Sequence, residues 1–196
     1  MRATFFIIIL IMTTEMSIQG QNALPYHEIP SNPDTYSAGN VMGRLVDGLG
    51  FRYYWATESL GEEDLKYQPS AEGRTMDETL DHIYGLSLTI VNAPQSIVNI
   101  RPADWSEMTF EQKREQTLMN FQKASELLKT GSPDDMEGYR VIFKRGENQS
   151  ESPFWNMING PIADAIWHTG QVVLMRRAAG NPINPKVSFF TGRLRE

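Results

Sequence analysis

Apolar residues recur at helical spacing in four stretches of the chain. From about Ser37 to Leu60, Met42, Leu45, Val46, Leu49, Tyr53, Ala56 and Leu60 share one face, and Gly61 offers a C-terminal stop. Gly43, Gly48 and Gly50 each weaken an exposed helix by about 1 kcal/mol relative to alanine, or else permit close packing. A polar connection ending in Ala71-Glu72-Gly73-Arg74 leads to a second helix with a marked start. Thr75 caps it and Glu78 follows three residues on, a capping box. Met76, Leu80, Ile83, Ser87 and Ile90 form its inner face, His82 lies beside them, and Pro94 limits the end.

The same start signal recurs at Thr109 and Gln112, which open a third helix with Leu118, Phe121, Ser125 and Leu128 as its buried stripe. Lys113, Arg114, Glu115, Lys123 and Glu126 read as its solvated face, and Gly131 and Pro133 end it. The fourth helix begins near Pro153 or restarts at Pro161. It continues inward through Ile162, Ala165, Ile166, Thr169, Val172, Val173 and Met175. Arg176 and Arg177 suit the negative end of its dipole, and Gly180-Asn181-Pro182 stops it. Residues 139–144 are rich in strand formers and predict a short extended piece crossing the helices rather than part of a sheet. The tail from Asn184 to Glu196 is expected to be irregular and docked through Val187, Phe189 and Phe190. These patterns predict an all-α fold, a four-helix bundle with at least one crossover and a short extended segment before the last helix.

The first twenty residues stand apart. Arg2 precedes an unbroken apolar run from Phe5 to Met12, and the chain turns polar before Gly20. That is the form of a secretory signal peptide, too short for a helix of roughly 20 residues to span a bilayer. The expected layout is a leader over 1–20, an extended segment over 21–35 with Pro25, Pro30 and Pro33, and the bundle over 36–196. The product is then expected outside the cytoplasm, periplasmic or secreted, with no stable membrane span after cleavage. The formal charge is −6, and an acidic balance argues against a nucleic-acid partner. The chain has no cysteine, which excludes disulfides, thiolate ligands and a cysteine nucleophile. Asn148-Gln149-Ser150 matches a glycosylation acceptor, a common tripeptide.

The chemistry concentrates between Gly160 and Gly180. Asp164 and His168 are four residues apart, one above the other on a helix. His82 is the only other histidine within a helical pattern, since His27 falls in the proline-rich segment and reads as a solvated loop residue. Two imidazoles and a carboxylate can hold a divalent ion with positions left open, as catalytic sites require. Spacing alone favours a plainer reading, an ion pair between Asp164 and His168 with His82 as a hydrogen-bonded core residue. Gln171 follows His168 by three and can orient a ligand or cap a polar patch. Trp167 and Tyr84 are candidates for lining a pocket, though large aromatics at helical spacing more often belong to a core.

The segment Thr79-Leu80-Asp81-His82-Ile83, and more specifically Asp164-Ala-Ile-Trp-His168-Thr-Gly-Gln171 followed by Arg177 and Gly180, resembles the DinB-like (DinB/YfiT) family. The likeness in layout runs from Ser37 to Pro182. It implies an antiparallel four-helix bundle, often dimeric, with a divalent metal held by one histidine of the second helix and two residues of the last. Those positions here are His82, Asp164 and His168. Asp164 departs from the family, whose members often have histidine there; it lowers the charge of the site and adds a harder oxygen donor. Zinc, nickel, manganese and ferrous iron are all compatible with that set, with zinc or nickel preferred. With an exported chain, the expectation is a metal-dependent hydrolase of a small molecule, with water ionising near neutral pH at the metal. A metal-dependent thiol transferase or isomerase is the alternative for a chain retained in a reducing compartment, and a non-catalytic envelope binding module is the third.

Overall fold

A computed structural model describes residues 24–196; the leader predicted over residues 1–20 lies outside them. Four long helices dominate: α1 (Ala38–Thr57), α3 (Met76–Asn92), α4 (Phe110–Thr130) and α7 (Ala163–Ala178). Shorter helices α2 (Glu62–Leu65), α5 (Pro133–Gly138) and α6 (Trp155–Met157) sit in the connections. Between the long helices runs a three-stranded sheet of β1 (Val98–Arg101), β2 (Arg140–Arg145) and β3 (Asn148–Pro153), in that spatial order. A two-stranded ribbon, β4 (Val187–Ser188) and β5 (Arg193–Leu194), closes the chain.

The all-α, four-helix-bundle expectation is therefore corrected. Residues 139–144 are not a lone extended piece: β2 pairs in parallel with β1, Val98 opposite Ile142, and antiparallel with β3, Phe143 opposite Ser150. The reason is backbone satisfaction, since an extended segment carries donors and acceptors that need partners. Asn99 of β1, buried, adds a side-chain bond by donating to the Ile142 carbonyl at 2.9 Å. The tail is corrected too. Val187 packs with Phe51 and Trp55, and the Phe189 ring meets Phe51 edge-on at 6.0 Å, but Phe190 is fully exposed.

The helix starts follow the sequence signals. Thr75 accepts from the Glu78 amide while the Glu78 carboxylate accepts from the Thr75 amide, at 3.1 and 2.8 Å. Thr109 and Gln112 form the same box on α4. Met76, Leu80, Ile83, Ser87 and Ile90 of α3 are all buried, as are Leu118, Phe121, Ser125 and Leu128 of α4. The first helix ends earlier than its pattern suggests, at Thr57, and Gly61 instead caps α2. Gly50 is needed for packing: a Cβ there would lie 2.4 Å from the ring of Tyr26.

Two charged side chains go inward, the first of them against expectation. Lys113, read as solvated, is buried and paired with Asp81 and Asp77 of α3. Arg176 stands in the last turn of α7, as expected, and also donates to the Trp55 and Ala56 carbonyls at the end of α1, at 3.0 and 3.1 Å. Its Nε donates to the Asn181 carbonyl at 2.7 Å. A buried cation thus satisfies carbonyls that a helix end leaves without partners. It ties α7 to α1 and helps fix how α7 presents its other side to α3. No helix among the described residues is long and apolar enough to cross a membrane.

Candidate metal centre

The fourth helical stretch does not start cleanly at Pro161. The chain enters through α6 and a wide π-helical turn, Ile158–Ile162, with Gly160 at the kink (φ −98°, ψ −106°). Pro161 provides no backbone donor, so a regular helix cannot run through it. The kink sets the first turn of α7, where Asp164 stands, beside the middle of α3, where His82 stands. Buried Ala165, Thr169 and Val172 hold the inner face of α7, and Thr169 returns its hydroxyl to the Ala165 carbonyl at 2.7 Å. Asp164 and His168 flank that face, half-buried at the mouth of a cavity.

The three sequence-predicted residues converge. His82 Nε2 lies 3.0 Å from one carboxylate oxygen of Asp164, and His168 Nε2 lies 3.3 Å from the other. The two imidazole rings face each other edge-on with centroids 4.6 Å apart. One donor atom from each residue falls within 4.8 Å of the other two, so this group can hold a metal ion. Among the described residues, His27 takes no part. It is exposed, its ring rests on Tyr54 and Trp55, and its carbonyl accepts from the Trp55 indole at 3.2 Å.

Hydrogen bonding around the cluster suits a cation between Asp164 and His168, either a shared proton or a metal ion. The amide oxygen of Gln171 accepts from His168 Nδ1 at 2.7 Å. An amide oxygen is only an acceptor, so the network assigns the proton to Nδ1. In the neutral ring, Nε2 then carries its lone pair toward the Asp164 oxygen 3.3 Å away. Two acceptors at that distance repel unless a proton or a metal ion lies between them. Ligating histidines almost always have such a partner on the second nitrogen, which fixes the ring and raises its basicity. At His82 the pKa is lowered. Burial is the main cause, with repulsion from His168 and Arg74 adding to it and the Asp164 contact opposing it. A neutral imidazole is the form that binds metal.

The cluster opens into a cavity of about 890 Å³ between the 67–74 connection and the second half of α7. Its other walls include Tyr67, Pro69, Arg74, Leu174 and Met175. Only Gln171 of these supporting residues stood out in the sequence. Tyr67 and Arg74 lie in a connection without periodicity, so only the three-dimensional path of the loop brings them here. The aromatic candidates take other places. Trp167 points outward, 69% exposed, and Tyr84 is buried against Trp105 with ring centroids 5.1 Å apart.

No protein-family model matches this chain, and neither a curated protein nor a solved structure matches it.

Proposed function

We propose that this chain is an exported, metal-dependent hydrolase related to the DinB-like family, acting on a small molecule in the cavity beside His82, Asp164 and His168. The observation that carries the reading is the pairing of acceptors at Asp164 and His168 with Gln171 holding the ring from behind. Two imidazole nitrogens and one carboxylate oxygen suit zinc or nickel, and leave coordination positions for a substrate. A bound divalent ion supplies Lewis acidity and lowers the pKa of water toward about 7.

The chain's own residues do the rest. His82 and His168 present lone pairs from two different helices, so the spacing of α3 and α7 sets the opening of the site. Gln171 keeps the His168 ring from rotating. Asp164 removes one positive charge and so moderates the acidity of the centre. Leu174 and Met175 offer apolar surface against which a substrate body can exclude water. Hydrolysis is preferred to thiol transfer because an oxidising exterior lacks a plentiful reduced thiol, and the apolar run before Gly20 supports export.

The test is a panel of esters, amides and lactones offered to the metal-loaded protein and to His168→Ala. Turnover by the wild type and its loss in the variant are expected. Equal turnover in both would defeat the proposal, and turnover only with an added thiol would replace hydrolysis by transfer.

A further inference from the structure

The cavity has a charged wall that the metal cluster does not use. Arg74 lines it, and among the described residues its guanidinium makes no hydrogen bond and no ion pair. It is the one cationic side chain among the described residues lining this cavity, and Asp164 is the one carboxylate there. Asp164 is already engaged by two imidazoles. The other walls include apolar surface from Tyr67, Pro69, Leu174 and Met175. Leu174 is 64% exposed on this rim, apolar area that the fold itself leaves uncovered. Arg74 is close enough for its charge to weigh on His82, so cation and cluster act within one space.

We infer that Arg74 anchors an anionic group, a carboxylate in the first instance, on a substrate whose apolar body lies along Tyr67, Leu174 and Met175. The inference rests on reading this cavity as the substrate site and names the class of molecule it takes. The charge balance agrees: with a divalent ion beside Asp164, the cavity carries surplus positive charge. A guanidinium suits the role because its planar fork meets a carboxylate with two parallel hydrogen bonds, which an ammonium cannot. A neutral ester or amide of the same length would find the apolar wall and leave Arg74 unpaired.

The experiment is a cycle of four calorimetric titrations on the full chain as purified. Octanoate and octanamide are each titrated into wild type and into Arg74→Met. Taking the ratio of ratios removes any contribution of a metal ion to carboxylate binding, because that contribution is common to both proteins. A charge-assisted contact is expected to give a coupling of about tenfold or more. Arg74→Lys is expected to retain part of the preference for octanoate. Equal octanoate preference in wild type and Arg74→Met would overturn the inference, as would failure of octanoate to bind the wild type. Metal content is measured on the same samples. Lack of metal would remove the hydrolase reading alone, since the octanoate coupling does not depend on it.

Discussion

Gln171 stands behind His168 with its amide oxygen 2.7 Å from Nδ1, on the side of the ring away from Asp164. Two turns of α7 therefore supply a carboxylate, an imidazole and the group that sets the tautomer of that imidazole. Helical spacing places Asp164 and Gln171 on either side of His168, so the ring is fixed along the helix before α3 adds His82.

Removing that support is expected to weaken metal binding without unfolding the chain. Gln171→Ala leaves all three ligands in place but frees the His168 ring. Loss of such a partner typically costs about 10–100-fold in metal affinity. Competition against a chelator of known affinity checks it, with far-ultraviolet circular dichroism as the control for folding. An unchanged affinity would mean that the ring is held by packing instead.

A second prediction concerns the opposite end of the molecule. Asp47 is buried on α1, accepts from the Tyr26 hydroxyl at 3.1 Å and pairs with Lys129 of α4 at 2.5 Å. Tyr26 itself adopts a left-handed backbone (φ 74°), and its buried side chain ties the segment before α1 to Asp47. Lys129→Met leaves Asp47 buried without its cation, which is expected to cost about 3–5 kcal/mol. Adding Asp47→Asn should recover much of that loss. Urea denaturation of the single and double variants measures both, and a neutral Lys129→Met would show the pair to be dispensable.

Alkaline pH should expose a third feature. Tyr53 is buried against Phe121, with ring centroids 5.9 Å apart. Burial pushes its phenol up to about 12 from an ordinary value of 10.0, with partial relief from Thr117 and Arg114. The unfolded chain then loses this proton first as pH rises. The contribution is present in full below pH 10.0 and fades as pH rises through about 12. It amounts to about 2–3 kcal/mol at most. Burial also raises the Tyr26 phenol, and Asp47 raises it further, with the same sign. Urea midpoints followed upward from pH 9 should fall less steeply in Tyr53→Phe than in wild type. Parallel curves would contradict the assignment.

Much of the site was legible in the sequence because its parts are helical. Capping boxes at Thr75 and Thr109 fix where α3 and α4 begin, and spacing of four puts Asp164 above His168. The sheet was not legible for physical reasons. β1 is four residues long with one buried position, Asn99, and β3 is almost wholly polar and exposed. Neither shows the alternation of a half-buried strand, so β2 looked like a strand without partners. The burial of Lys113 and the contacts of Arg176 with α1 were not legible because their partners, Asp81 and the last carbonyls of α1, come from other helices. Arg74 gave no signal because a loop residue joins a cavity only through the path of the chain.

Metal content decides the central assignment. The full chain is purified without an affinity tag, equilibrated with zinc or nickel, freed of excess ion and measured by elemental analysis. About one equivalent per chain is expected for wild type, as three protein ligands with an open position require. His82→Ala, Asp164→Ala and His168→Ala should each lose most of it. A wild type that retains no stoichiometric metal, or variants that hold as much as the wild type, would contradict the proposal that these three side chains share one ion.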